Sequence, residues 1–164
     1  YRMSNKLMLK FSPKRRIGNL GEDLAEMFLV KNGYKILERN YLKKWGELDI
    51  VAKKDGLVYF IEVKSKVSHE TFGVDVSRDV SRQGFTLITA QGNLSRESKE
   101  DEYMPEENVH YWKQKRMIRA IQTYLLDRNV NEDQEWQIDV LTVNIDFFQK
   151  TAIIKHIENV VFDI

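Results

Sequence analysis

The sequence predicts an α/β fold, with a mixed central sheet flanked by helices and the element order α-β-β-β-α-β-β. Three observations lead to this prediction. Two segments carry apolar residues at helical spacing, five shorter segments are typical of strands, and three of those strands follow one another between the two helices. Such a run of strands between helices is typical of a mixed sheet with helices packed on its faces.

Each helix is predicted from its apolar spacing. In the first, residues 18–32, Leu20 and Leu24 share one face, and Gly33 follows as a stop signal. In the second, residues 109–127, apolar residues recur at the same spacing. The five predicted strands cover residues 34–42, 47–53, 57–65, 136–143 and 151–157.

The second and third strands are predicted to form a hairpin that turns at Asp55-Gly56, a pair typical of a two-residue turn. With this turn, Asp49 lies directly opposite Glu62, and Lys64 shares their face because it lies two residues along the strand. A three-residue loop would put the carboxylates on opposite faces, since a slip of one residue reverses every side chain.

The apolar pattern favours the register with the shared face. The opposite face is then continuously apolar and carries Leu48, Ile50, Ala52, Leu57, Tyr59, Ile61 and Val63. Both faces are expected to be covered by helices, as in a central hairpin. Two carboxylates that face each other across a ladder repel, and a hard divalent cation would turn that conflict into a binding site.

Composition excludes several classes of function. The chain has 164 residues, a net charge of +1 and no cysteine, so disulfides, thiol nucleophiles and cysteine zinc sites are excluded. Its length predicts a single domain, residues 1–164. No apolar run reaches membrane-spanning length, and the protein is predicted to be cytoplasmic. The histidines lack metal-ligand spacing, and no nucleophile elbow supports a hydrolase triad.

Basic residues are concentrated in separate clusters, which is compatible with binding a phosphate backbone on one face. The alternative for each single residue is an ordinary solvated charge. Trp45 follows two lysines and is a candidate either for stacking on a base or for a hydrophobic lid. The candidate nucleic-acid contacts are Lys14, Arg15, Arg16, Lys43, Lys44, Lys66 and Arg116.

Seven segments resemble, in the same linear order, the sequence blocks of the YraN-type bacterial predicted endonucleases; they cover residues 17–25, 33–41, 46–51, 60–64, 113–116, 138–140 and 156–159. That family belongs to the PD-(D/E)XK nuclease superfamily and is similar to archaeal Holliday-junction resolvases. Two departures stand out. Leu48 occupies the position of the proline in the superfamily motif, and residues 76–104 look like an insertion without a counterpart.

The resemblance implies a restriction-endonuclease-like core and a Mg²⁺- or Mn²⁺-dependent endonuclease that acts on branched, Holliday-junction-like DNA. A homodimer is a further expectation, because resolvase-like relatives act as two-fold dimers. Two alternatives stay open. In the first, the chain is a nucleic-acid-binding module that kept the fold with little or no catalysis. In the second, it is an adaptor that works through the insertion at residues 76–104.

The resemblance also assigns roles to residues. Asp49 and Glu62 would bind the metal, together with the backbone carbonyl of Val63. Lys64 would hold the attacking water or the scissile phosphate. For Glu22, position in the first helix alone equally predicts a favourable interaction with the helix dipole, and the resemblance adds it as a metal or water ligand.

The second helix and the following strand add three further candidates. Gln114 lies on the apolar line of its helix and Lys113 flanks it, and the resemblance implies that both position the phosphate or the water. Asp139 interrupts an apolar strand, for which a buried, hydrogen-bonded structural role is predicted instead of a ligand role.

Overall fold

The computed structural model describes residues 12–68, 84–90 and 111–162, and confirms the predicted α/β fold with a mixed sheet. Its elements are α1 (Pro13–Lys31), β1 (Lys35–Lys43), β2 (Gly46–Lys54), β3 (Leu57–Val67), β4 (Thr86–Thr89), α2 (Tyr111–Asp127), β5 (Trp136–Asp146) and β6 (Thr151–Ile157). The predicted order lacked β4. Of the predicted insertion, only residues 84–90 lie within the described part.

The six strands form one sheet in the order β1-β2-β3-β5-β6-β4. Strands β3 and β5 pair in parallel, as do β4 and β6, whereas the other neighbours pair antiparallel. The hairpin strand β3 is therefore central, with β2 on one side and β5 on the other. In the described ranges, no helix combines the length and apolar character needed to cross a bilayer.

Helix α1 begins five residues before the predicted start. The hydroxyl of Ser12 caps it by accepting a hydrogen bond from the backbone N–H of Arg15 at 3.4 Å, and Pro13 occupies the first helical position. The helix ends at Lys31, and Gly33 follows with φ +84°, as a helix stop requires.

The central hairpin confirms the predicted two-residue turn. Asp55 and Gly56 have φ of 48° and 87°, the two positive values of a type I′ turn. The predicted register holds from the turn to the pair Ile50–Ile61, where the pairing of β2 with β3 ends. The predicted direct pair of Asp49 with Glu62 is therefore absent, and the two strands part at that point.

Each face of the sheet carries one helix and one apolar cluster. Helix α1 packs on the face of Ile50, Ala52 and Ile61, and α2 packs on the face of Val51 and Phe60. The predicted division of the hairpin into two covered faces is therefore confirmed for these residues.

Leu48 was predicted on the wrong face. It is buried in the α2 cluster, although Ile50 lies in the α1 cluster. The pairs between β1 and β2 skip Asn40 and Asp49, and Asn40 has a left-handed φ of 53°. The alternation of side chains along β2 is interrupted at this skipped pair, so Leu48 faces α2 although Ile50 faces α1.

Candidate functional site

A cavity of about 520 Å³ lies where β2 and β3 part, bounded by α1 and by the start of α2. A larger, mainly apolar cavity of about 780 Å³ lies between the C-terminal half of α1 and β4, and it contains none of the predicted site residues. The smaller cavity is lined by Lys14, Ile17, Gly18, Glu22, Glu47, Asp49, Glu62, Val63, Lys64, Ser65, Lys66, Val67 and Lys113.

A side chain links β2 and β3 just beyond the point where their backbone pairing ends. The carboxylate of Asp49 accepts a hydrogen bond from the backbone N–H of Val63 at 2.8 Å, through its Oδ2 atom. A side chain thus replaces the backbone carbonyl that a continued ladder would supply, and it fixes Asp49 at the mouth of the cavity.

Asp49 titrates far from its ordinary range. Burial, reinforced by the negative charge of Glu62, raises the pKa of Asp49 to about 7, against the lowering effect of the Val63 N–H. A cation bound beside Asp49 would favour its ionised form and lower this pKa.

Glu62 is only 5% exposed, and its carboxylate contacts two ammonium groups. Its Oε1 atom lies 2.9 Å from Nζ of Lys64 and also contacts Nζ of Lys113. Burial lowers the pKa of Lys64, with Lys113 acting in the same direction against the attraction of Glu62. For Lys113, burial opposes the charged form, but the charge of Glu62 and its hydrogen bond, together with Lys64 and Asp49, outweigh burial and the pKa is raised.

Glu22 lies in the middle of α1, not in its first turn, because the helix begins at Pro13. The helix-dipole interpretation of Glu22 is therefore wrong. Burial raises the pKa of Glu22, whereas a hydrogen bond with Asn40 and the guanidinium of Arg39, 3.6 Å away, lower it. Glu22 faces the same cavity as Asp49.

Sequence reasoning missed the residues that hold Glu22. Arg39 reaches from β1 to α1, where it also pairs with Asp23 at 2.9 Å and Glu26 at 2.6 Å. Asn40 follows it with a left-handed backbone. The only sequence signal for either residue was its position inside a resemblance block, because an arginine on a strand carries no pattern of its own.

Four carboxylates line the cavity: Glu22, Glu47, Asp49 and Glu62. Within the described ranges, no three histidine, cysteine, aspartate or glutamate side chains come together in a way that could hold a metal ion. Glu22 thus does not complete such a cluster with Asp49 and Glu62. Backbone oxygen, water and phosphate are the partners that Mg²⁺ accepts in addition to one or two carboxylates.

The predicted residues divide into those that share the cavity and those that lie elsewhere. Lining it are Lys14, Glu22, Asp49, Glu62, Lys64, Lys66 and Lys113. Gln114 is half-buried on α2 but does not line the cavity. The remaining predicted nucleic-acid contacts are also outside it: Arg15, Arg16, Lys43, Lys44 and Arg116.

Some of these outlying cations have structural contacts. Lys43 forms an ion pair with Asp127 at 2.7 Å. Arg116 donates from Nε to the backbone oxygen of Trp45 at 3.0 Å, and Lys44 lies 5.6 Å from the centroid of the Trp45 ring. Trp45 thus sits in the β1–β2 turn, surrounded by cationic side chains.

Asp139 has the buried, hydrogen-bonded structural role that the sequence predicted. Its side chain is fully buried and accepts hydrogen bonds from Gln137 Nε2 at 2.7 Å and from the backbone N–H of Asn159 at 2.9 Å. His156 Nε2 lies 2.7 Å from its other oxygen. The residue ties β5 to β6 and the segment after it, and it does not line the cavity.

Comparisons with known proteins identify relatives over most of the chain. The model of a family described as "Uncharacterised protein family UPF0102" matches residues 21–94. A UPF0102 protein of Alkaliphilus oremlandii is 30% identical over 145 residues, which is 88% of this chain and 97% of the relative. A UPF0102 protein of Campylobacter jejuni is 31% identical over 145 residues, 88% of this chain and 93% of the relative.

Proposed function

The chain belongs to the UPF0102 family, the YraN-type family that its sequence blocks resembled, and we propose that it is a metal-dependent endonuclease that hydrolyses DNA. One observation carries the proposal. Asp49, Glu62 and Lys64 line one cavity, and burial together with the charge of Glu62 raises the pKa of Asp49.

A hard divalent cation, Mg²⁺ or Mn²⁺, fits the chemistry of this donor set. The buried carboxylates of Asp49 and Glu62 would hold it, and the backbone oxygen of Val63 at the same cavity is a third donor that the resemblance suggests. When bound, such a cation polarises a phosphate oxygen and makes a bound water more acidic.

The side chains around the two carboxylates supply the remaining functions. The N–H of Val63 holds Asp49 in place, so this ligand is preorganised before substrate arrives. Lys64 places a positive charge beside Glu62, where it can stabilise the charge that builds on the phosphate. Burial lowers the pKa of Lys64, which makes its ammonium group a better proton donor.

DNA is the proposed substrate because the cavity also carries lysines away from the carboxylate pair. Lys14 on α1 and Lys66 on β3 line it beside the central residues. We infer that they contact phosphates next to the scissile bond. Branched, Holliday-junction-like DNA is proposed from the resemblance to junction resolvases.

The test is cleavage of labelled four-way-junction, flap, single-stranded and duplex DNA with Mg²⁺, with Mn²⁺ and with EDTA. The wild type is compared with Asp49→Asn and Lys64→Ala. We expect cuts that need the metal and that fall by about a hundredfold or more in both variants, because each removes a group that stabilises charge in the transition state.

Matched controls separate the site from general damage. Asp55→Asn changes an exposed turn carboxylate to a residue that the turn accepts, and Lys35→Ala removes an exposed lysine from β1. Both are expected to cleave like the wild type. DNA binding without any metal-dependent cutting would overturn the nuclease proposal and favour a binding module. Partner capture that requires residues 76–104, without nuclease activity, would favour an adaptor.

A further inference from the structure

The outer face of α2 combines aromatic and cationic side chains. The inner face is buried against the sheet through Met117, Ala120, Ile121 and Tyr124. Residues three, four and seven positions apart share one side of a helix, and about 10 Å of helix axis separates the first from the last. On the outer side this row, here named the α2 stripe, consists of Trp112, Lys115, Arg116 and Arg119.

Trp112 begins the stripe, and its side chain is 68% exposed. Nζ of Lys115 lies 5.7 Å from the centroid of its ring. At this exposure much of the indole is in contact with water, and its ring can stack on a planar group. The next residue, Lys113, lines the cavity, so the stripe starts beside the candidate active site.

The two arginines are held by Trp45 in the β1–β2 turn. The guanidinium carbon of Arg119 lies 4.9 Å from the centroid of the Trp45 ring, and Arg116 donates to the Trp45 backbone oxygen. In the described part of the chain, these contacts involve a ring and a carbonyl, and no carboxylate neutralises either guanidinium. Among the described residues, their charge is therefore open to an anion.

Close packing keeps this arrangement in place. A methyl group added at Gly46 would lie 2.8 Å from the backbone oxygen of Arg116, so only glycine lets the turn approach α2 this closely. The turn and the first half of the helix thus form one rigid support. Two guanidinium groups are presented along that support, with an exposed indole at its end.

We propose that the α2 stripe binds an unpaired nucleic-acid strand, with a base stacked on Trp112 and phosphates on Arg116 and Arg119. Aromatic platforms beside rows of cations are how proteins hold single strands, because every base has a stacking face and every link carries a negative charge. This inference rests on the proposed function and narrows its branched substrate to one with an unpaired strand, such as a flap. That strand leads from the stripe, past Lys113, into the cavity.

The stripe favours a nucleic-acid strand over an acidic protein segment because it combines an exposed indole with three cations on one helix face. A strand supplies both a planar base for the ring and phosphates for the cations. A paired duplex would present phosphates to the arginines but no free base face to Trp112. Trp112 should therefore distinguish single strands from duplex.

The test measures binding in EDTA, so that it is independent of cleavage. A fluorescein-labelled oligo-dT strand and a duplex of equal length are titrated with the full-length wild type and with Trp112→Ala, Trp112→Phe and Trp136→Phe. Trp136, 39% exposed, begins β5 and is the matched control. We expect Trp112→Ala to weaken single-strand binding by about tenfold and duplex binding by less than about twofold.

Two further readouts distinguish stacking from a structural effect. Trp112→Phe should retain most of the affinity, because a phenyl ring still stacks, and Trp136→Phe should bind like the wild type. Replacing Arg116 and Arg119 by glutamine should reduce the salt dependence of single-strand binding by about 0.7 in the log–log slope for each charge.

Failure of this inference is distinguishable from failure of the nuclease proposal. Equal losses for single strand and duplex in Trp112→Ala, or no loss at all, would overturn the stacking role, even with cleavage intact. Absence of nucleic-acid binding in the wild type would also overturn it and favour a protein partner. Single-strand binding that depends on Trp112, in a protein that cuts no DNA, would support the stripe and reject the nuclease.

Discussion

The carboxylate of Asp49 on β2 accepts a hydrogen bond from the backbone N–H of Val63 on β3 at 2.8 Å. This bond links the two central strands just beyond the point where their backbone pairing ends. The pairing of the hairpin ends one residue before this contact, at Ile50 and Ile61. Opening the ladder at that point exposes the ends of both strands to the cavity. The cavity therefore lies where the backbone pairing between β2 and β3 has ended.

The stability of the metal-free protein is expected to depend on the protonation of Asp49. Its pKa in the folded state is about 7, above its ordinary value, because burial and the charge of Glu62 disfavour the ionised form. The folded state then binds a proton more tightly than the unfolded state. This contribution is complete at low pH and is lost as the pH rises through about 7.

Asp49→Asn tests this linkage, because asparagine keeps the acceptor for Val63 and does not titrate. In EDTA, the gain of the variant over the wild type should be larger at about pH 8 than at about pH 5 by on the order of 1–3 kcal/mol, because the wild type loses its contribution between its unfolded and folded pKa values. Urea unfolding at both pH values measures the difference. The same change in stability at both pH values would contradict it, and Asp55→Asn serves as the control.

Lys113 is expected to compete with a metal ion for Glu62, because its ammonium contacts the Oε1 atom that a cation would share. Removing it in Lys113→Ala should raise the affinity of the DNA-free protein for Mn²⁺ by about fivefold, equivalent to about 1 kcal/mol. Calorimetric titration with Mn²⁺ measures this. Lys35→Ala is the control, and unchanged or weaker binding in Lys113→Ala would refute the competition.

Gly21 is required because α1 crosses β3 at very close range. A methyl group there would lie 1.6 Å from the hydroxyl oxygen and 2.6 Å from Cβ of Ser65. Gly21→Ala should therefore destabilise the fold by about 1–3 kcal/mol, although alanine alone favours a helix by about 1 kcal/mol. Urea denaturation measures the free energy of unfolding.

Gly18 provides the matched control for that prediction. It lies in the same helix, and a methyl group added there meets nothing within 4 Å. Gly18→Ala should therefore stabilise the protein by up to about 1 kcal/mol. The double variant Gly21→Ala with Ser65→Gly should recover most of the loss, and a loss that persists without the Ser65 side chain would exclude the clash as its cause.

Arg39 is expected to stabilise the fold more than an exposed arginine does. It contacts Glu22, Asp23 and Glu26 from a half-buried position between β1 and α1. Arg39→Gln leaves these three carboxylates close together without their cation and should cost about 1–2 kcal/mol. Thermal and urea unfolding measure it.

Arg128 is the control for Arg39, because its two hydrogen bonds to Glu38, at 2.9 and 2.7 Å, are exposed. Arg128→Gln should cost less stability than Arg39→Gln, since water screens exposed pairs. Equal losses in the two variants would show that burial adds nothing to the Arg39 cluster.

Local patterns determined most of the architecture. The type I′ turn at Asp55-Gly56 needs only the two residues that accept positive φ, and the alternation of apolar residues then sets the register of the hairpin. The same alternation predicted that Ile50 and Val51 lie on opposite faces of the sheet, as they do. Local information did not predict where α1 begins, because Ser12, which caps the helix, lies outside the apolar pattern.

The candidate site depended on both levels. The carboxylates Asp49 and Glu62 and the neighbouring Lys64 were predicted from the hairpin and the sequence blocks, since their spacing along two strands is a local property. Their surroundings were not predictable in this way. Arg39 on β1 and Lys113 on α2 reach the acidic residues from distant parts of the chain.

The sequence by itself determined seven of the eight described elements, the turn and the residues of the carboxylate pair, because propensity and alternation act between near neighbours. Only the tertiary structure decided where the ladder stops, how Leu48 turns to the α2 face and which cations meet Glu62. The physical reason is that burial and Coulomb interactions depend on distance in space. The pKa of Asp49 reflects both, and neither is a property of its neighbours in the chain.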